Sequence, residues 1–285
     1  MSGSATPAPR ATYILAAVPA AFLLVFFVLP ILMLLSTSVL KSEDMVPVAQ
    51  LTTSNFVTLL TERLYVEAIL RTLLIGVAVG VLVVCLAYPL AFMLVRTRSR
   101  WQPVLVALAL SPLLASVIVR TYGWWVLFNR DGAINTLLLR TGLIAEPLKL
   151  IPSTAVIIIG LAHALLPYGV LTLMAALNGV NPNLERAAMS LGARRLRTVA
   201  TVTLPLTASG VIGGFLLAFG VAIGAYATPA ILGGPGTQTM ATLIYTFMMT
   251  LLDWSLGSAM GVILLASSFV VLALTMMAGR RQTVS

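Results

Sequence analysis

Side chains able to do covalent chemistry are scarce in this chain of 285 residues: His163 is its one histidine and Cys85 its one cysteine. A catalytic constellation needs a nucleophile or acid–base pair with supporting groups in reach, and a protein-held metal needs three or four ligands. Neither assembles around single copies of His and Cys, and a lone cysteine excludes an intrachain disulfide. The phosphate-cradling pattern G-x-x-x-x-G-K-[ST] does not occur, so nucleotide hydrolysis is not expected in this chain. What remains is fixed charge and aromatic surface. Arg120 is the one charge placed inside an apolar run, where an arginine costs about 2.5–3.5 kcal/mol on insertion scales. It either marks a solute pathway or snorkels to the interface. Aromatic faces attract cations by about 0.5–2 kcal/mol each. Tyr122, Tyr226, Asp253 and Trp254 therefore join Arg120 as candidate translocation-pathway residues, the alternative for the aromatics being an interfacial belt. The belt is the reading for Trp124 and Trp125, and an interhelical hydrogen bond the reading for His163.

The elements that must position these groups are membrane spans. The chain is 60% hydrophobic and 9% charged, whereas soluble domains carry about 25% charged residues. Apolar runs of about twenty residues each match the thickness of a bilayer core. They give an all-α membrane protein with six transmembrane helices at roughly 13–35, 69–95, 104–128, 154–177, 206–228 and 257–278. A further apolar segment at 239–252, interrupted by Asp253 and Trp254, is expected as an outer helix that is partly re-entrant or packed on the spans. With the N-terminus inside, the inner segments hold Arg10, Arg96, Arg98, Arg100, Arg186, Arg194, Arg195, Arg197, Arg280 and Arg281. Their only acid is Glu185, so the whole formal charge of +9 falls on one side and both termini are cytoplasmic by the positive-inside rule. Residues 1–12 read as a disordered cytoplasmic tail, 13–278 as a single transmembrane domain and 279–285 as a second tail. The run at 13–35 exceeds the 7–15 residues of a signal-peptide core and reads as a retained span. The basic pI is thus explained by topology, and no basic face interleaved with stacking aromatics points to nucleic acid. Outside the membrane, 36–68 is expected to form a cap with a short helix at 55–60, and 132–139 a second short helix.

One polar segment stands apart, Asn181–Pro205, NPNLERAAMSLGARRLRTVATVTLP. Asn181 is a good N-cap and Pro182 a good first helical residue. Glu185, Ala188, Met189 and Gly192 follow at i, i+3, i+4 and i+7, on one face of a short helix. Gly192 can supply the left-handed turn that ends it. Arg194, Arg195 and Arg197 open a second segment that runs into Leu204 and Pro205. A helix–turn–helix held outside the bilayer between two spans is a docking element.

This segment resembles the "EAA" coupling loop of binding-protein-dependent ABC import permeases: EAA, three residues, Gly, nine residues, then Ile-x-Leu-Pro. Ala187, Ala188, Gly192, Leu204 and Pro205 match at the family's spacing, and Val202 replaces the isoleucine. Arg186 stands where the family has glutamate, and the acid is displaced to Glu185. Val119–Leu138, Gly160–Leu177, Ala227–Gly234 and Asp253–Ala259 are similar to polyamine-type permeases, so the resemblance covers nearly the full length. It implies a type I ABC importer permease fold in the bacterial inner membrane. Its loop residues Glu185, Arg186, Ala187, Ala188, Gly192, Leu204 and Pro205 would couple to a cytosolic ATPase dimer. It further implies a second homologous permease, a periplasmic solute-binding protein and contact with membrane lipid. No cofactor is expected in this chain, ATP and magnesium being bound by the partner ATPase. The solute implied is a polyamine such as spermidine or putrescine, with opines, phosphonates and amino-acid-like solutes as alternatives. A secondary transporter is the other class, and it would need buried acids or paired broken-helix ion sites.

Overall fold

A computed structural model of the chain describes residues 17, 19–43, 45–97 and 100–282. In chain order its elements are α1 (Pro19–Ser38), a hairpin of β1 (Leu40–Glu43) and β2 (Val46–Leu51), α2 (Ser54–Thr61), α3 (Arg63–Arg96), α4 (Gln102–Leu114) and α5 (Val117–Phe128). There follow α6 (Ala133–Arg140), α7 (Thr154–Asn178), α8 (Pro182–Ser190), α9 (Arg195–Leu206), α10 (Ala208–Ile223), α11 (Ala227–Leu232), α12 (Met240–Thr250) and α13 (Trp254–Gln282). Helix dominates because backbone amides and carbonyls find no water in a bilayer core and must pair within the segment.

Among the described residues, α1, α3, α7 and the Trp254–Met277 part of α13 are long and apolar enough to cross a membrane. The count rises to six if two bent pairs each make one span: α4 with the α5–α6 segment, bent by 96°, and α9 with α10, bent by 74°. The expected third span is therefore broken at Ala115–Ser116, just after Pro112, rather than running straight from 104 to 128. The fifth is shorter than 206–228. Its straight part ends at Ile223, and Gly224–Tyr226 separate it from α11. The sixth has its apolar part at Trp254–Met277, helix α13 continues to Gln282, and the tail read at 1–12 lies outside the described residues.

The core is a three-helix contact of α3, α7 and α10. Ile75, Val79 and Val83 of α3 meet Ile157, Leu161 and Leu165 of α7, with Ala218 and Ala222 of α10 filling the third side. Close approach is set by small residues. A Cβ on Gly76 would lie 2.5 Å from Ile223 Cγ2, and one on Gly169 would lie 2.6 Å from Val83 Cγ1, so larger side chains would force these helices apart.

Which partners meet also fixes direction. Val156 and Ile157 share a cluster with Ile75, while Leu173 and Leu177 pack with Ala91 and Leu94. Hence α3 and α7 run the same way, and the polar loop leaves α7 beside the foot of α3. Ala259 and Met260 pack on Leu59, Tyr65 and Ala68 at the opposite end, so α13 also runs toward the loop.

That opposite end carries a cap. The side-chain amide of Asn55 donates to the Ser38 and Leu40 carbonyls at 3.0 and 2.9 Å, tying α2 to the end of α1. Helix α2 matches the expectation at 55–60 to within a residue at each end, but the β-hairpin was not anticipated. Helix α6 also forms, and buried Asn135 fastens it by donating to the Leu148 carbonyl and accepting from the Leu148 amide, both at 2.9 Å. Helix α12 packs against the spans: Met240 and Leu243 are buried against Ala259 and Met260, and the Met240 amide donates to Thr72 Oγ1 at 2.9 Å.

Candidate functional site

The docking segment folds as its residues dictate. The Asn181 side chain accepts from the Asn183 amide at 3.0 Å, capping α8, and Pro182 occupies the first turn. Gly192 has φ +91°. Its amide donates to the Met189 carbonyl, and the Ala193 amide donates to the Ala188 carbonyl. Those two bonds are the paired closure that a left-handed glycine allows at a helix end. Leu191 and Leu196 flank this turn at 91% and 86% exposure. Two large apolar side chains in water at the tip of a polar loop are unpartnered hydrophobic surface. Arg186 and Ala187 are exposed beside them, Arg186 Nη1 lying 3.4 Å from Asn183 Oδ1, and Leu204 and Pro205 are exposed at the end of α9.

Glu185 points the other way. It is buried, and its Oε1 accepts from Arg96 Nη2 at 2.8 Å and from Arg96 Nε at 3.1 Å. Thr203 Oγ1 donates to the same oxygen at 3.3 Å, and Arg96 Nη2 also reaches the Val180 carbonyl at 3.2 Å. Nearby, the hydroxyls of Tyr88 and Thr207 are 3.1 Å apart at the bend between α9 and α10. A cavity of about 350 Å³ lies beside the pair, lined by Phe92, Met93, Arg96, Glu185, Met189 and Arg195 among others. Of the face read from the sequence, Glu185 and Ala188 turn inward while Met189 remains exposed.

A second cavity, of about 510 Å³, lies between the broken third span, α7 and the end of α10. Arg120, Tyr168, Tyr226 and Thr228 supply most of its polar lining, and among the described residues no carboxylate lines it. Arg120 Nη1 donates to the Pro112 carbonyl across the Ala115–Ser116 break. Tyr226 stacks on Tyr245 at a centroid distance of 4.4 Å and borders a further hollow of about 250 Å³. Arg120 and Tyr226 are thus brought together. Tyr122 is 53% exposed and does not line the cavity. Asp253 accepts from the Leu256 amide at 3.1 Å, capping α13, and Trp254 beside it is exposed. His163 makes the interhelical bond expected of it, accepting at Nδ1 from Trp124 Nε1 at 3.3 Å. That bond, and stacking on Phe128, leave Trp124 partly buried against the core.

Arg96, Thr203 and Thr228 belong to these sites and were not singled out from the sequence. Arg96 had counted only toward orientation. Its partner lies 89 residues away, and no local pattern links the two.

The long-helix core, the two bent helix pairs and the helix–turn–helix together have the fold of ABC-importer permease chains. A solved bacterial alginate ABC transporter in complex with an alginate-pentasaccharide-bound periplasmic protein contains a chain of this fold. The match has TM-score 0.79 at 18% identity and covers 95% of this chain and 94% of that one. No protein-family model matches the chain. Over 243 residues it is 30% identical to the spermidine/putrescine transport system permease protein PotB of Escherichia coli (strain K12), covering 85% of this chain and 88% of the relative. It is also 32% identical over 201 residues to the inner membrane ABC transporter permease protein YdcU of the same organism, covering 66% and 63%. The chain belongs to the family of permease subunits of binding-protein-dependent ABC importers, multi-pass proteins of the inner membrane that are not themselves catalysts.

Proposed function

We propose that this chain, paired with a second homologous permease, imports a polyamine of the spermidine/putrescine type. A periplasmic binding protein delivers the solute, and a cytosolic ATPase dimer that holds ATP and magnesium drives its passage. The observation that carries the reading is the helix–turn–helix α8–α9, capped by Asn181, closed by Gly192 at φ +91° and presenting Leu191 and Leu196 to solvent. In this reading the segment seats in a groove of the ATPase, with Arg186, Ala187, Ala188, Leu204 and Pro205 around the contact and both chain termini on the same cytoplasmic side. Closure of the ATPase dimer draws α8 inward and rocks the spans from inward- to outward-facing.

Support for a polyamine comes from the resemblance to PotB-type permeases, and the stacked Tyr226 and Tyr245 offer aromatic faces to a cation. A specific observation favours a second solute class. Among the described residues Arg120 is the one ionised side chain lining the 510 Å³ cavity, and a fixed cation there favours a solute that bears an acidic group. Opines, phosphonates and amino-acid-like solutes are of that kind.

Uptake into vesicles containing the complete complex and its cognate binding protein decides between them. The expected result is ATP-dependent, saturable uptake of labelled spermidine that putrescine competes away. Uptake confined to acid-bearing amines would replace the polyamine with the second class and leave the importer reading intact.

A further inference from the structure

We infer that Arg96, Glu185 and Thr203 form a strut of positioning residues that makes docking helix α8 move as one body with the transmembrane core. Glu185 is therefore not a contact for the partner. The inference rests on α8–α9 being the element the ATPase grips, and it says how a push there reaches the spans.

Helix α8 is joined to α7 only through Gly179–Asn181, and its other end passes through the turn at Gly192 and the bend at Thr207. Both links are short irregular stretches that can absorb a displacement by changing a few backbone torsions. A push on α8 through such links alone would be spent in the hinges. The side chains supply what the backbone lacks. One carboxylate oxygen, Glu185 Oε1, collects two N–H donors of Arg96 and the hydroxyl of Thr203, while Arg96 also holds the Val180 carbonyl. These bonds join the foot of α3, the α7–α8 link at Val180, helix α8 and helix α9 at a single point.

Burial makes the joint stiff. The Arg96 and Glu185 side chains keep 17% and 12% of their accessible surface, so separating them leaves charges poorly solvated. Both guanidinium bonds converge on the one oxygen Oε1 and are charge-assisted, which makes them stronger than neutral hydrogen bonds. Helix α3 in turn forms the core with α7 and α10, so motion delivered at Arg96 goes to the whole bundle. Tyr88 and Thr207, one turn or more further along the same elements, hold the α9–α10 bend against α3.

The acid in this chain sits one place before the family's glutamate position, and Arg186 occupies that position on the exposed face. Glu185 is already engaged by its own chain. Arg186, Leu191 and Leu196 are what α8–α9 offers outward.

The test reads the number of ATP molecules hydrolysed per solute imported by the reconstituted complete complex. A merely structural role lowers the amount of assembled complex and moves both quantities together, leaving their ratio untouched. Arg96→Gln is expected to raise the ratio at least fivefold. Arg96→Glu and Glu185→Arg are each expected to raise it further, and the doubly exchanged chain to return within about threefold of native. Thr203→Val, a milder change, is expected to raise it about twofold and keeps the test open if the charge variants do not assemble. A native ratio in both Arg96→Gln and Thr203→Val overturns the strut, and so does an exchanged chain no better than Glu185→Arg alone. The native complex separates the two levels. If the native chain retains no ATPase, the docking reading fails. If native coupling is normal and the variants match it, only the strut fails.

Discussion

Replacing both Leu191 and Leu196 by aspartate is expected to reduce the ATPase retained by the purified complex at least tenfold, with the membrane helices intact. Both side chains are almost fully exposed at the tip of the docking segment, 91% and 86%, so neither contributes to the chain's own core. Substitutions at such positions normally change folding stability by no more than about 0.5 kcal/mol. Burial of a leucine in a partner groove is worth about 1.5–3 kcal/mol. Two lost burials, plus two carboxylates placed in an apolar groove, far exceed the 1.4 kcal/mol that corresponds to a tenfold change in affinity. Retention is measured by quantifying ATPase against permease after detergent purification, and circular dichroism of the isolated permease checks its helix content. Equal retention in the double variant would mean that the partner grips elsewhere.

Arg120→Gln is expected to shift the solute preference at least tenfold toward cations, read as the ratio of spermidine uptake to uptake of a carboxylate-bearing amine. At an effective dielectric near 20, a unit charge about 6 Å from the guanidinium feels about 2–3 kcal/mol. The sign is repulsive for an ammonium and attractive for a carboxylate, so removing Arg120 moves the two solutes in opposite directions. The side chain also bonds the Pro112 carbonyl across the break in the third span. Glutamine retains a donor there, and reading a ratio rather than a rate cancels any general loss of activity. An unchanged ratio removes this cavity from the solute's path.

The parts of this protein legible in its sequence are those fixed by neighbouring residues. The cap at Asn181, the proline at the first turn and the left-handed Gly192 act within one or two turns of helix, and each is found where the spacing placed it. Span positions followed from length and hydropathy, because a bilayer imposes both. The break at Ala115–Ser116 was not legible. Leu, Val and Ala are equally apolar on either side of it, and only Pro112 hints that the helix turns. The ends of the fifth span were misplaced for the same reason, since Gly224–Tyr226 remain apolar after the helix has unwound. Glu185 shows the limit most clearly. Its heptad position places it on a face with Ala188 and Met189, but which way that face turns depends on Arg96, a residue that the sequence presents only as one more cation at a span end. Likewise the partner of Trp124 was not legible, because His163, which accepts from its indole nitrogen, lies 39 residues on.

The most direct test of the coupling account is the ATPase activity of the complex, reconstituted with its cognate binding protein, for the native chain and for Gly192→Pro. Proline is confined to φ near −65° and cannot adopt the +91° that closes α8, while a Cβ at that site meets nothing within 4 Å beyond its chain neighbours. The account predicts solute-stimulated hydrolysis in the native complex and its loss in the variant, whose permease still inserts and purifies as a folded subunit. Undiminished stimulation in Gly192→Pro would contradict it, because the turn between α8 and α9 would then have no part in joining the membrane subunit to the ATPase.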